Sequence, residues 1–227
     1  MTQGKLIAIE GLDGSGKATQ TALLCNALRE KGVPLRQVSF PNYDEPSSAL
    51  VKMYLNGELG GHAGAVNAFA ASSFYAVDRF ASYVRHWRQD YQSGSLIVAD
   101  RYTTSNMMYQ MTKLPRIQWD AYLDWAKDFE YNKLELPAPD AVLYLDVPTD
   151  WSQRLLEQRY AGNAGKKDMH EKDIEFLAAC RESALYCAQQ MGWIVIQCVQ
   201  GGQLRSVEQI HAEIMQSEII KECSKLC

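Results

Sequence analysis

The sequence predicts an α/β domain built on a five-stranded parallel sheet flanked by helices, with residues 1–227 forming one unit. Three observations carry that prediction. Short apolar runs bounded by turn residues alternate with longer helical patterns. Those runs are apolar on both faces, which suits strands buried between helix layers. A glycine-rich loop ending in lysine stands between the first run and the first helical pattern.

The elements follow in order along the chain. The first strand covers residues 6–10, and the helix at 17–31 is stopped by Gly32-Val33-Pro34 ahead of a second strand at 35–40. Helical patterns at 47–55 and 66–92 lead to a third strand at 96–99, and a further helix covers 116–129. Pro137-Ala138-Pro139 terminates that stretch before the fourth strand, 141–146. Helices at 151–160 and 171–191, a fifth strand at 194–198 and a last helix at 206–223 complete the alternation. Residues 161–167 (AGNAGKK) read either as a plain surface loop or as part of a mobile lid spanning about 154–171.

Composition narrows the function classes. The chain is 47% hydrophobic and 22% charged, with a formal net charge of −4. An acidic balance argues against a nucleic-acid surface, which needs a basic face. A small anionic substrate remains allowed, because a local cluster of arginines holds it whatever the global charge. The six cysteines, Cys25, Cys180, Cys187, Cys198, Cys223 and Cys227, form no C-x-x-C pair and fit buried free thiols in a reducing compartment. No run approaches the ~18 apolar residues of a membrane span, so a cytoplasmic protein without membrane contact is expected.

The loop after the first strand is Gly11-Leu12-Asp13-Gly14-Ser15-Gly16-Lys17-Ala18-Thr19, which matches G-x-x-x-x-G-K between a strand and a helix. This is the P-loop NTPase arrangement. Its glycines let backbone N–H groups converge on phosphate oxygens, and the helix N-terminus adds partial positive charge. Lys17 is expected to follow the β- and γ-phosphates of ATP. Where the pattern has Ser or Thr to ligate Mg²⁺, this chain has Ala18, and Thr19 lies about 100° further round the helix. Either phosphates, water and a distant carboxylate hold the Mg²⁺, or catalysis is weakened.

The acceptor side begins at the third strand's end with Asp100-Arg101-Tyr102, where parallel sheets bind ligands. Asp100 is expected to hold Mg²⁺ and Arg101 to grip a phosphate bidentately. Tyr75 and Arg79, four apart on a helix, offer a ring to stack on a base and a guanidinium for its edge. Val77, Phe80, Val84, Trp87 and Tyr91 share helical spacing and read as core or subunit interface.

Together these residues resemble the thymidylate kinase family. The likeness covers nearly the whole chain: residues 11–19, Phe40-Pro41, 74–79, 100–110, Leu145-Asp146-Val147-Pro148 and the lid region. The run D-R-Y-x-x-S-x-x-x-Y-Q is its most specific part. The resemblance implies a five-stranded parallel sheet in a homodimer that moves a phosphoryl group from ATP to dTMP, giving dTDP in dTTP biosynthesis, with Mg²⁺ near Asp100. It implies that Arg101 binds the dTMP phosphate, that Arg79 meets the thymine edge, that Tyr75 stacks on the base and that Phe40 walls the pocket. Ser105 and Asn106 would orient the nucleotide, Tyr109 would crowd the 2′ position, Gln110 would line the site and Asp13 would reach the 3′-hydroxyl. The phosphate loop lacks an arginine, so the resemblance assigns catalytic positive charge to the lid, with Arg154, Arg159, Lys166 and Lys167 as candidates, and Asp168 and Glu171 at its acidic end.

Two rivals remain at this stage. A deoxynucleoside kinase shares the sheet and the phosphate loop, but typically presents Glu-Arg-Ser where this chain has Asp-Arg-Tyr. A catalytically silent nucleotide-binding module has only Ala18 in its favour.

Overall fold

The computed structural model describes residues 3–160 and 174–225. Five parallel strands run in the order β2-β3-β1-β4-β5, where β1 is Leu6–Gly11, β2 Leu35–Ser39, β3 Leu96–Asp100, β4 Ala141–Asp146 and β5 Ile194–Gln197. Every strand pair in this sheet is parallel, as the alternation of apolar runs and helices requires.

The pleat sends alternate side chains of the same strand into two separate cores. Ile7, Ile9, Val98, Leu143 and Leu145 pack on one face with Leu24, Cys25 and Leu28 of α1 (Lys17–Glu30). Ile210 and Ile214 of α9 (Val207–Gln216) and Ile220 and Cys223 of α10 (Glu218–Cys223) close that layer. Leu6, Ala8, Ile97, Ala99, Val142 and Tyr144 face the opposite layer. That layer contains α3 (Ala68–Ser82), α5 (Thr103–Tyr109), α6 (Trp119–Lys127) and α8 (Ile174–Met191). Strands buried on both faces explain why the sequence runs are continuously apolar. The edge strand β2 departs from this, since Arg36 and Gln37 are exposed.

The long helical pattern at 66–92 is not a single α-helix. A π-helical segment, Tyr83–Trp87, separates α3 from α4 (Arg88–Gln92). A π turn holds more residues than an α turn and re-phases the stripe. Tyr83, Trp87 and Tyr91 are consequently buried, while Val77, Phe80 and Val84 stay exposed. The five-residue stripe expected from the sequence therefore divides into a core half and a surface half. A second π-helical segment, Asp128–Lys133, extends α6 beyond its expected end.

Three elements were not foreseen. Thr103–Tyr109 is helical despite its run of β-branched and polar residues. Val199–Gln200 and Gln203–Leu204 pair as a short antiparallel hairpin, β6-β7, around Gly201-Gly202, whose φ angles are 59° and 76°. The C-terminal helical stretch also breaks at Ser217, whose ψ is 143°. The expected lid lies partly in α7 (Thr149–Tyr160); its remainder, with Lys166, Lys167, Asp168 and Glu171, is outside the described residues.

Candidate functional site

A cavity of about 690 Å³ opens at the carboxyl ends of β1, β2 and β3. Parallel register sets those ends side by side, with Ile9 opposite Asp100 and Val38 opposite Ala99. Asp13, Gly14, Gly16, Lys17, Ala18 and Thr19 form one wall of the cavity. Gly11 and Ser15 are not among the residues that border it. They pack beneath the loop instead: a Cβ on Gly11 would stand 2.6 Å from the Ser15 Oγ. Gly14 adopts φ 81°, and a Cβ there would lie 2.8 Å from the backbone oxygen of Ser152. The Ser152 Oγ donates to the Asp13 carbonyl at 2.5 Å, so α7 holds the loop from behind.

Lys17 is only 7% exposed and donates from Nζ to the Leu12 carbonyl at 2.8 Å. Burial, then the nearby Arg101 charge, pull its pKa down to about 8.

Across the cavity, Arg101 sits in the left-handed region at φ 65°, a conformation that costs a non-glycine residue about 1–3 kcal/mol. The buried carboxylate of Glu10 fixes the turn that follows. It accepts from Tyr102 N at 2.9 Å, Thr104 Oγ1 at 2.7 Å and Ser105 Oγ at 2.7 Å. The strained turn aims Arg101 at Asp13, with which it forms an ion pair. Arg101 Nη1 donates to the Tyr109 hydroxyl at 3.3 Å, and that hydroxyl donates to Asp13 Oδ2 at 3.1 Å. Burial pushes the Tyr109 pKa well up, which keeps the hydroxyl protonated and able to donate at neutral pH. The structure thus joins Asp13, Arg101 and Tyr109, predicted separately, into one cluster.

Asp100 borders the cavity, and its carboxylate takes no side-chain hydrogen bond or ion pair among the described residues. Those residues also contain no group of three or more His, Cys, Asp or Glu side chains that could hold a metal. A cation held at Asp100 would need further ligands from outside these side chains.

The far end of the cavity is aromatic and amide-lined. Phe40 and Tyr75 border it, joined by Tyr43 and Leu55, which the sequence reading missed. Tyr54 meets the Tyr75 ring edge-on at 6.4 Å. Arg79, Ser105, Asn106 and Gln110 also line the cavity. Arg79 is paired bidentately with Glu130, a residue not singled out from the sequence: Nε lies 2.7 Å from Oε2 and Nη2 2.6 Å from Oε1.

The lid arginines are a different matter. Arg154 is exposed, and its guanidinium lies 5.1 Å from the Trp151 ring centroid instead of lining the cavity. The side chain of Arg159 is outside the described residues. Of the missed residues, Glu10 carried a usable signal, being an acid that closes an otherwise apolar strand run just before the loop.

Comparison with known proteins covers nearly the whole chain. The family model described as thymidylate kinase matches residues 9–214. A thymidylate kinase from Mycobacterium tuberculosis is 31% identical over 199 residues, covering 84% of this chain and 90% of that protein. One from Plasmodium falciparum is 26% identical over 225 residues, covering 99% and 91% respectively. The solved structure of a thymidylate kinase from Candida albicans superposes with a TM-score of 0.69 at 22% identity, covering 98% of this chain and 94% of that one.

Proposed function

The chain belongs to the thymidylate kinase family, and from that premise we propose that it transfers the γ-phosphoryl group of ATP to dTMP, releasing dTDP and ADP and feeding dTTP synthesis. The observation that carries the reading is one cavity with the phosphate loop and Lys17 at one wall and a second phosphate-type cation, Arg101, at the other. An acceptor that already carries a phosphate has a use for both.

On this reading, Lys17 and the loop amides hold the ATP phosphates, and Arg101 holds the dTMP phosphate in line with them. Ligand phosphate competes with Asp13 for Arg101, which frees the Asp13 carboxylate for the 3′-hydroxyl. Tyr75 and Phe40 enclose the base, and Tyr109 stands against the sugar's 2′ position. Little covalent chemistry is asked of the chain. It aligns two anions and offsets their charge as the phosphoryl group passes between them.

Mg²⁺ fits the donors present, with Asp100 as its one carboxylate and no hydroxyl from Ala18. Asp100 would help to hold it, and when bound it would supply charge neutralisation at the transferring phosphoryl group. The exposed apolar row Val77, Phe80 and Val84 on and beyond α3 supports a homodimer. Buried free cysteines, with the Cys25 pKa pushed up to about 11 by burial, suit a reducing cytoplasm. No described helix is long and apolar enough to cross a membrane.

The test is ADP release from Mg-ATP over a panel of dTMP, dUMP, UMP, dCMP, AMP and thymidine. Selective turnover of dTMP is expected. Preference for thymidine over dTMP would overturn the reading in favour of a nucleoside kinase, and absence of turnover with every acceptor would favour a silent module.

A further inference from the structure

Glu130 occupies a position where an apolar residue is due. Trp119, Tyr122, Leu123 and Ala126 form the buried stripe of α6, and Glu130, 1% exposed, is its next member. It enters the core from the π-helical segment Asp128–Lys133. Isolated buried carboxylates are unfavourable, so its partners account for its presence.

Those partners are two residues that line the cavity's base end. Glu130 Oε2 accepts from Arg79 Nε, and Oε1 accepts from Arg79 Nη2 and, at 3.0 Å, from Asn106 Nδ2. The second Asn106 amide hydrogen goes to the Ser72 carbonyl at 3.1 Å. A carboxylate and a carbonyl only accept, so the Asn106 amide is held one way round. Its Oδ1 is the polar atom left for a ligand. Arg79 has Nε and Nη2 committed, so Nη1 is the nitrogen left with both of its hydrogens uncommitted. The two cavity-lining side chains, both tied to Glu130, thus leave a donor on Arg79 and an acceptor on Asn106.

We propose that Glu130 is a positioning residue that sets this donor–acceptor order, and so selects a pyrimidine with a 4-carbonyl and an N3–H over one with a 4-amino group and a bare N3. A cytosine-type ring presents its donor to the guanidinium and its acceptor to Oδ1, which leaves buried polar groups opposed. The inference rests on the dTMP reading above. It predicts little discrimination between thymine and uracil rings from this edge, since both present the same pattern.

The experiment is steady-state ADP release with dTMP, dUMP and dCMP for the wild type, Glu130→Gln and Glu130→Asp. In the wild type, kcat/KM for dCMP is expected to be lower than for dTMP by at least about a hundredfold. Glu130→Gln places an amide donor against Arg79 or Asn106. Its KM for dTMP is expected to rise by about tenfold or more, with kcat within about threefold and the KM for ATP unchanged. The dTMP to dCMP ratio falls by about tenfold, and the preference between dTMP and dUMP stays put. A role confined to folding lowers thermal stability and kcat for all three acceptors alike; a variant with the wild-type dTMP to dCMP ratio overturns the proposal. Glu130→Asp retains the charge while withdrawing the carboxylate by one methylene, so it answers the same question if the Gln variant does not fold. Equal wild-type turnover of dCMP and dTMP overturns the proposal without any variant. A wild type that ignores dTMP refutes the functional reading itself, whereas unchanged ratios in variants of a dTMP-active enzyme refute the role of Glu130 alone.

Discussion

Lys17 carries its charge in surroundings that oppose it. Its pKa of about 8 lies below the usual lysine value of 10.5, with burial the leading cause. A group whose folded pKa is depressed in this sense penalises the fold while it stays protonated. That penalty is complete below pH 8 and fades as pH rises toward 10.5. Lys17→Met is therefore expected to abolish turnover yet stabilise the ligand-free protein at pH 7, by on the order of 1–3 kcal/mol after the lost bond to Leu12 is subtracted. Thermal melts at pH 7 and pH 10 check this: the gain should shrink at the higher pH, and a destabilised variant at pH 7 refutes it. ATP affinity should likewise weaken above pH 8 in binding titrations, as the free enzyme's ammonium loses its proton. Ala18 is the neighbouring departure. If Asp100, which borders the cavity beside the loop, helps to hold the metal, Ala18→Ser should lower the Mg²⁺ concentration giving half-maximal rate by several-fold; an unchanged Mg²⁺ dependence would show that this position does not tune the metal.

At the scale of elements, the phosphate loop is held between β1 beneath and α7 behind. Ser152 on α7 donates to the Asp13 carbonyl, and Gly14 lies too close to the Ser152 backbone to carry a side chain. Ser152→Ala removes one neutral hydrogen bond worth about 0.5–1.5 kcal/mol, so the KM for ATP should rise by roughly two- to tenfold with dTMP binding little changed. Equal changes in both KM values would mean that the bond stabilises the whole fold and not the loop. The same elements show what was legible beforehand. The sheet, its parallel sense and the phosphate loop follow from local pattern, because strand burial and loop chemistry are written in adjacent residues. Helix Thr103–Tyr109 was not legible: the hydroxyls of Thr104 and Ser105 are satisfied by Glu10, more than 90 residues away, and that of Thr103 pairs with Tyr131. The π-helical segments were equally hidden, since composition does not mark a wider turn, and the one at Tyr83–Trp87 divides the 77–91 stripe into a buried and an exposed half. Arg79, expected at the base, lines the cavity, yet its partner Glu130 was missed because the pairing spans 51 residues. Glu130 did leave a trace, a carboxylate on an otherwise apolar helix stripe.

The whole molecule turns on α3 having two working faces. Tyr75 and Arg79 border the cavity, whereas Val77 and Phe80, with Val84 beyond the helix end, are 42%, 41% and 46% exposed. An apolar row of this kind on one helix is the pattern of an interface between copies. A partner seated on the outer face would brace the helix whose inner face borders the cavity, and so couple assembly to acceptor binding. Phe80→Glu sets a charge into the middle of that row without touching a residue that lines the cavity. The wild type is expected to sediment at twice the 25.6 kDa chain mass and the variant at the single-chain mass. If the helix depends on that support, the monomeric variant should bind dTMP several-fold more weakly while its ATP affinity stays near wild type, because the phosphate loop sits on β1 and α1, away from α3. A wild type that remains monomeric at every concentration rejects the interface. A monomeric variant with unaltered dTMP affinity keeps the interface and rejects the coupling.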